Sequence, residues 1–147
     1  MACNTAHLLV PTLETRHNIH FTSLIDRTVK HVVKSQVKSI GIMASPTTIR
    51  TRLYEDELVS NGIEVILPSR QEIETIEDCI RKVICGHDAT KLQNHLRPII
   101  NSIKERGAKK VLLGCTELSV IFGHGTHKDL VDPLSIITCE LLSDADQ

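Results

Sequence analysis

Aromatic residues are almost missing from this sequence: its 147 residues include no Trp, one Tyr and two Phe, 2% in all. Without a series of rings there is no platform on which successive bases would stack. The 17 Lys+Arg are matched by 18 Asp+Glu, so there is also no cationic excess to hold phosphates, and nucleic acid is excluded as a partner. Long apolar runs are absent too. Val111 to Leu113, and Ile63 to Leu67 with Glu64 inside it, fall far short of the ~20 residues that cross a bilayer, and no membrane partner is expected. The opening MACNTAHLLV has no basic region ahead of its apolar residues and soon reaches Pro11 and Glu14. It does not read as a secretory leader, and a cytoplasmic protein is expected. The five cysteines are odd in number and form no CxxC pair, which suits neither a disulfide framework nor a zinc site. His7, His124 and His127 lack HxxxH or carboxylate spacing and are read as surface or capping residues, so no metal site is expected.

What the sequence does contain is an alternation of short β-branched runs with helical stripes. Lys38-Ser-Ile-Gly-Ile-Met-Ala44 reads as a buried strand. Ser45 follows as an N-cap with Pro46 in the first turn, predicting a helix to about Ser60 that Asn61-Gly62 stops. Ile63 to Leu67 is a second strand, ended by Pro68. Ile73, Ile76, Ile80, Val83 and Ile84 share one stripe of a helix over 71–85. Leu92, Leu96, Ile99, Ile100 and Ile103 mark another, ending at Gly107, in which Pro98 is expected to introduce a kink or to shift the start. Lys109-Lys-Val-Leu-Leu-Gly114 is a third strand, Cys115-Thr-Glu opens a short helix, Lys128 to Val131 is a fourth strand, and Pro133 starts a C-terminal helix. Upstream, Ile19 to Leu24 reads as a strand and Ile25 to Ser35 as a helix. Strands separated by helices imply crossovers, and hence an α/β fold with a doubly wound parallel sheet.

Ligands of such sheets gather where the strands end and helices begin. Ser45, Thr47 and Thr48 stand at one such end and Cys115, Thr116 and Glu117 at another; Cys3, Asn4 and Thr5 join them if a strand precedes. A thiol at a helix N-terminus has its thiolate stabilised, and hydroxyls and backbone N–H groups there hold a carboxylate. Each group also has an ordinary explanation, the cysteine as a small core residue and the Ser/Thr as caps. Cys79 and Cys139 lie on apolar stripes and are read as core, Cys85 beside Gly86 stays open, and Arg50 and Tyr54 are assigned to helix surface and packing.

Taken together, these residues carry a resemblance. Ala2-Cys-Asn-Thr-Ala-His7 and Leu113-Gly-Cys-Thr-Glu-Leu118 resemble the two cysteine motifs of the aspartate/glutamate racemase family. Ala44-Ser-Pro-Thr-Thr-Ile-Arg-Thr-Arg-Leu-Tyr54 resembles its intervening substrate loop, usually a Thr, two residues and a second Thr. Glu117 after Cys-Thr is similar to the aspartate racemase branch, where glutamate racemases typically carry His. Members usually have two pseudo-symmetric α/β domains, with a first strand and a glycine-rich loop ahead of the Cys-Asn-Thr motif that here begins at residue 3. The resemblance therefore implies an N-terminally truncated chain: residues 1–36 as the C-terminal remnant of a first domain, 37–131 as the second α/β domain and 132–147 as a C-terminal helix. Ser45 departs from the family's Thr but keeps a hydroxyl. Cys85 stands where many aspartate racemases carry Lys, a departure that bears on acidic-substrate specificity.

The resemblance implies a cofactor-independent racemase of aspartate or glutamate in which Cys3 and Cys115 are the two proton-transfer groups, one on each face of Cα. Asn4, Thr5, Ser45, Thr47, Thr48 and Thr116 are the neutral donors expected to hold the small amino-acid substrate by its carboxylate. Glu117 is expected either to face the substrate ammonium or to orient a thiol. Two alternatives stand beside this: a catalytically silent domain that binds a small carboxylate or nothing, and an isomerase of a related diacid. A homodimer is kept open, because a second copy would cover an exposed sheet edge.

Overall fold

The computed structural model describes residues 1–123 and 128–145; His124 and His127 therefore lie outside the described residues. The sheet has four parallel strands in the order β2-β1-β3-β4: β1 (Ser39–Ala44), β2 (Glu64–Ile66), β3 (Lys110–Gly114) and β4 (Leu130–Val131). Strand β1 is buried at every position and pairs β2 on one side and β3 on the other, with Ala44 in register with Gly114. Its alternation supplies two cores. Ile40, Ile42 and Ala44 pack with Ile25, Val29 and Val32 of α2 (Leu24–Lys34) and with Tyr54 and Leu58. Met43 faces α5 (Arg70–Ile84), α6 (Ala89–Glu105) and α7 (Thr116–Phe122) through Ile76, Leu96, Ile103 and Leu118. Helices on both faces make the sheet doubly wound, as the alternating pattern predicts.

Local chemistry sets the element ends. The Ser69 and Glu72 side chains each bond the other's backbone N–H, a capping box that starts α5. Asp88 caps α6 by accepting from the Thr90 N–H at 3.0 Å. Pro98 lies inside α6 rather than at its start. Its ring removes the bond to the Asn94 carbonyl, and both residues are exposed, so water replaces what the proline takes away.

Two expected elements differ. Residues 45–60 are two short helices, α3 (Pro46–Arg50) and α4 (Glu55–Ser60), not one. Arg52 between them takes a left-handed φ of 53°, which ends α3 and lets Tyr54 turn into the core. Ile19 to Leu24 is not a strand: Ser23 caps α2 through the Asp26 N–H at 3.1 Å, and Leu24 is already helical. A 3-10 turn (Thr5–Leu9) and α1 (Val10–His17) precede it. The C-terminal α8 (Pro133–Ala145) packs against α2. Cys79 is buried as expected, whereas Cys139 is exposed, because it lines an open groove between β4 and α8 rather than a packed core.

Gly41 in β1 admits no side chain, since a Cβ there would lie 2.2 Å from Ile103 Cγ2. Gly41→Ala is expected to lower stability by about 1–3 kcal/mol through forced repacking, measurable as a shift in urea midpoint; an unchanged midpoint would contradict this packing.

Candidate active site

The pairing of Ala44 with Gly114 fixes the site. The next residues, Ser45 and Cys115, leave the sheet from adjacent carboxyl ends. Gly114 allows the close approach: a Cβ there would meet the Ala44 Cβ at 2.9 Å and a Tyr54 ring carbon at 3.5 Å. The segment from Cys3 to Leu9 lies across these ends, held by side chains rather than by a strand.

Thr5 Oγ1 is 3.0 Å from Thr48 Oγ1 and 3.3 Å from Ser45 Oγ, and the last two are 3.1 Å apart. Ser45 Oγ also caps α3 by accepting from the Thr48 N–H at 3.3 Å. Three hydroxyls from segments some forty positions apart thus form one cluster, and each is able to donate or accept. Thr47 is not part of it; its hydroxyl accepts from exposed Arg50 at 3.3 Å. Asn4 is buried and its Oδ1 accepts from the Tyr54 hydroxyl. His7 is buried rather than on the surface, and it does serve as a cap. The Leu24 N–H donates to its Nε2 at 3.0 Å, so the proton sits on Nδ1, which donates to the Cys3 carbonyl at 2.8 Å.

Cys115 is half-buried, and its thiol donates to Glu117 Oε2 at 2.8 Å. The Thr116 hydroxyl donates to the same oxygen at 3.0 Å. Burial pushes the Cys115 thiol up to about 12, helped by the hydrogen bond to Glu117, by its charge and by the nearby Cys3. This reverses the expectation that a helix N-terminus lowers this thiol, because burial of the thiol, together with the carboxylate two residues on, outweighs the partial charge of the helix. Burial also acts to raise Glu117, but donation from Cys115, from its own N–H and from Thr116 holds it below the usual carboxylate range. The site therefore presents a protonated thiol tied to an anionic carboxylate, with the exposed thiol of Cys3 close by.

Sequence reasoning missed Asp132, and it read Tyr54 as surface or packing and His7 as surface or capping without finding the partner of either. Asp132 is buried and accepts from the Ser119 hydroxyl at 2.6 Å, the Leu134 N–H at 3.0 Å and the Ser135 hydroxyl at 2.7 Å, joining α7 to α8. The pattern Asp-Pro-Leu-Ser is itself a capping signal; nothing local announces the partners of the other two, Asn4 for Tyr54 and Leu24 for His7. A groove of about 630 Å³ runs along β4 and α8 past Lys110, Lys128 and Cys139, but holds neither thiol of the site. Among the described residues no group of three or more His, Cys, Asp or Glu is placed to hold a metal ion, and no helix is long and apolar enough to cross a membrane.

The family described as Asp/Glu/Hydantoin racemase matches residues 1–139. Glutamate racemase of Shewanella woodyi is 29% identical over 125 residues, covering 82% of this chain and 45% of that protein. Among solved structures, aspartate racemase of Picrophilus torridus superposes with a TM-score of 0.79 at 24% identity, covering 99% of this chain and 61% of its own. An aspartate racemase homologue from Pyrococcus horikoshii gives 0.77 at 26% identity, covering 99% and 65%. The chain thus spans between 45% and 65% of the length of these relatives.

Proposed function

Since the chain belongs to the Asp/Glu/Hydantoin racemase family, we propose that it carries the two-cysteine half-cleft of an amino-acid racemase acting on aspartate or glutamate. The observation that carries this reading is the meeting of three separate segments at the ends of β1 and β3. Cys3-Asn4-Thr5 and Ser45 with Thr48 are joined there by the hydroxyl cluster, and Cys115-Thr116-Glu117 leaves the adjacent strand end, where the Cys115 thiol feels Cys3 electrostatically.

The chemistry divides between the two thiols. Cys115 holds its proton at neutral pH and is the acid, which leaves Cys3 as the base, a step it enters deprotonated. Cys3 takes the proton from Cα and leaves the electron pair on the substrate as an enolate-like anion. The Cys115 S–H gives its proton to the opposite face, ending as thiolate. The reverse reaction exchanges the two roles, and proton exchange with solvent restores the starting state. Glu117 aims the Cys115 thiol, and having spent an oxygen on two donors it orients rather than binds. Neutral hydroxyls suit the substrate carboxylate because they stabilise the developing charge without opposing it. No cofactor enters any of these steps.

The chain spans 45% to 65% of the length of these relatives, and on this reading the part it does not span supplies the other wall of the cleft. The 147-residue chain alone is expected to exchange the Cα proton of aspartate or glutamate in D2O only slowly. Supplying that part from a longer relative as a fused domain is expected to raise the rate about a hundredfold or more, since a displacement of ~1 Å already costs that much. If neither form exchanges either amino acid, the reading is wrong. Binding gives a second check by calorimetry. Thr48→Val is expected to weaken aspartate binding by ~1.5–3 kcal/mol, the value of a charge-assisted hydrogen bond. Arg50→Ala, on the exposed side of α3, is expected to cost under ~0.5 kcal/mol. Equal losses would move the carboxylate site elsewhere.

A further inference from the structure

Tyr54 occupies a place that the proposed chemistry does not use. It is 1% exposed, one of the largest fully buried side chains, and its ring takes up the space beside Gly114, the residue before Cys115, where a Cβ would stand 3.5 Å from a ring carbon. Its hydroxyl donates to Asn4 Oδ1, on the residue after Cys3. Burial pushes the phenol well above its usual range, so it stays a donor. One rigid aromatic side chain therefore bonds the neighbour of one thiol and fills the space beside the neighbour of the other. We propose that Tyr54 is a positioning residue that sets Cys3 relative to Cys115, through Asn4 on one side and Gly114 on the other; this rests on the racemase reading of the same site.

The chemistry of the pair explains why a tyrosine is required. The Cys3 segment has no strand to hold it, and its 3-10 turn begins at Thr5 without a side-chain cap. Three separate anchors replace the missing ladder: His7 on the Cys3 carbonyl, Tyr54 on Asn4, and the hydroxyl cluster on Thr5. Of these only Tyr54 also reaches the strand that carries Cys115. A phenol donating to Oδ1 also fixes which way the Asn4 amide is turned, since the amide nitrogen cannot accept that bond. Phenylalanine would fill the same space but leave the Asn4 oxygen without its donor.

The test uses the 147-residue chain, in which Tyr54 is the sole tyrosine and no tryptophan is present, so ultraviolet emission reports this residue alone. Asn4→Ala is expected to change that emission. Tyr54→Phe and Asn4→Ala are each expected to speed amide hydrogen exchange over residues 3–9 about tenfold, while α5 and α6 stay at wild-type protection. The double variant should lose no more than either single one, because both break the same bond. In Cα-proton exchange of aspartate, Tyr54→Phe is expected to slow turnover at saturation about tenfold or more and to leave the half-saturating concentration within about twofold. Wild-type protection and turnover in Tyr54→Phe would overturn the proposal, as would additive losses in the double variant. If neither the wild-type chain nor its fused form exchanges a Cα proton but the emission and amide results hold, Tyr54 still positions the Cys3 segment and only the racemase reading falls.

Discussion

Alanine at either Cys3 or Cys115 is expected to lower racemisation of aspartate or glutamate by a hundredfold to ten-thousandfold, the usual worth of one positioned acid or base. Inversion needs removal of a proton from one face and delivery to the other, so neither thiol substitutes for its opposite. Cys3 is exposed and Cys115 half-buried, and neither replacement removes much of the core, so thermal unfolding should stay near that of the parent. Polarimetry or chiral chromatography of the product measures the loss. A single alanine variant that still racemises within tenfold of the parent would remove that cysteine from the mechanism.

Glu117→Gln is expected to act in opposite directions on two observables. The negative charge that helps hold the proton on Cys115 is removed, so the thiolate becomes easier to form, although burial, the larger cause, remains. Only the thiolate is alkylated, so at pH 8 iodoacetamide should modify Cys115 about tenfold faster than in the parent. Racemisation should fall on the order of 10- to 100-fold, because the thiol loses the partner that aims it. Mass mapping of alkylation against pH checks the first part. Unchanged alkylation would mean that Glu117 does not govern this thiol. The raised Cys115 also has a consequence for stability. The folded chain keeps this proton between pH 9.0, the ordinary thiol value, and about 12, while the unfolded chain loses it. Stability is therefore expected to decline as pH rises through that window.

How much of this was visible in the sequence depends on the range of the forces involved. Strands β1 and β3 are legible because parallel strands buried on both faces need unbroken apolar runs, and Ile40 to Ala44 and Val111 to Leu113 are such runs. Helix α5 is legible for a local reason, the Ser69/Glu72 box ahead of an isoleucine stripe. The break between α3 and α4 is not, because the left-handed residue is Arg52, where no glycine signals the turn. Ile19 to Leu24 has the composition of a strand, but no neighbouring strand stands ready to pair with it, and Ser23 instead begins a helix.

The candidate site divides in the same way. Cys3, Ser45, Thr48, Cys115 and Glu117 stand out because strand ends followed by nucleophiles and hydroxyls are local patterns. Tyr54 does not, since its partner Asn4 is fifty positions away and reaches it only in the folded chain. Thr47 satisfies the same local pattern as Thr48, yet the turn of α3 leaves it beside Arg50 on the outer side. The direction of the Cys115 shift is likewise invisible in sequence, because it depends on the Glu117 side chain folding back onto the thiol rather than extending into solvent.

The most direct test is deuterium incorporation at Cα from D2O by the two single-cysteine variants, with D- and L-aspartate supplied separately, in the fused form that completes the cleft. On the proposed reading each variant keeps one thiol on one face. Cys3→Ala should therefore exchange the proton of one enantiomer and Cys115→Ala that of the other, with neither producing the opposite isomer. The same enantiomer preference in both variants, or exchange of both enantiomers by either, would contradict two thiols acting from opposite faces.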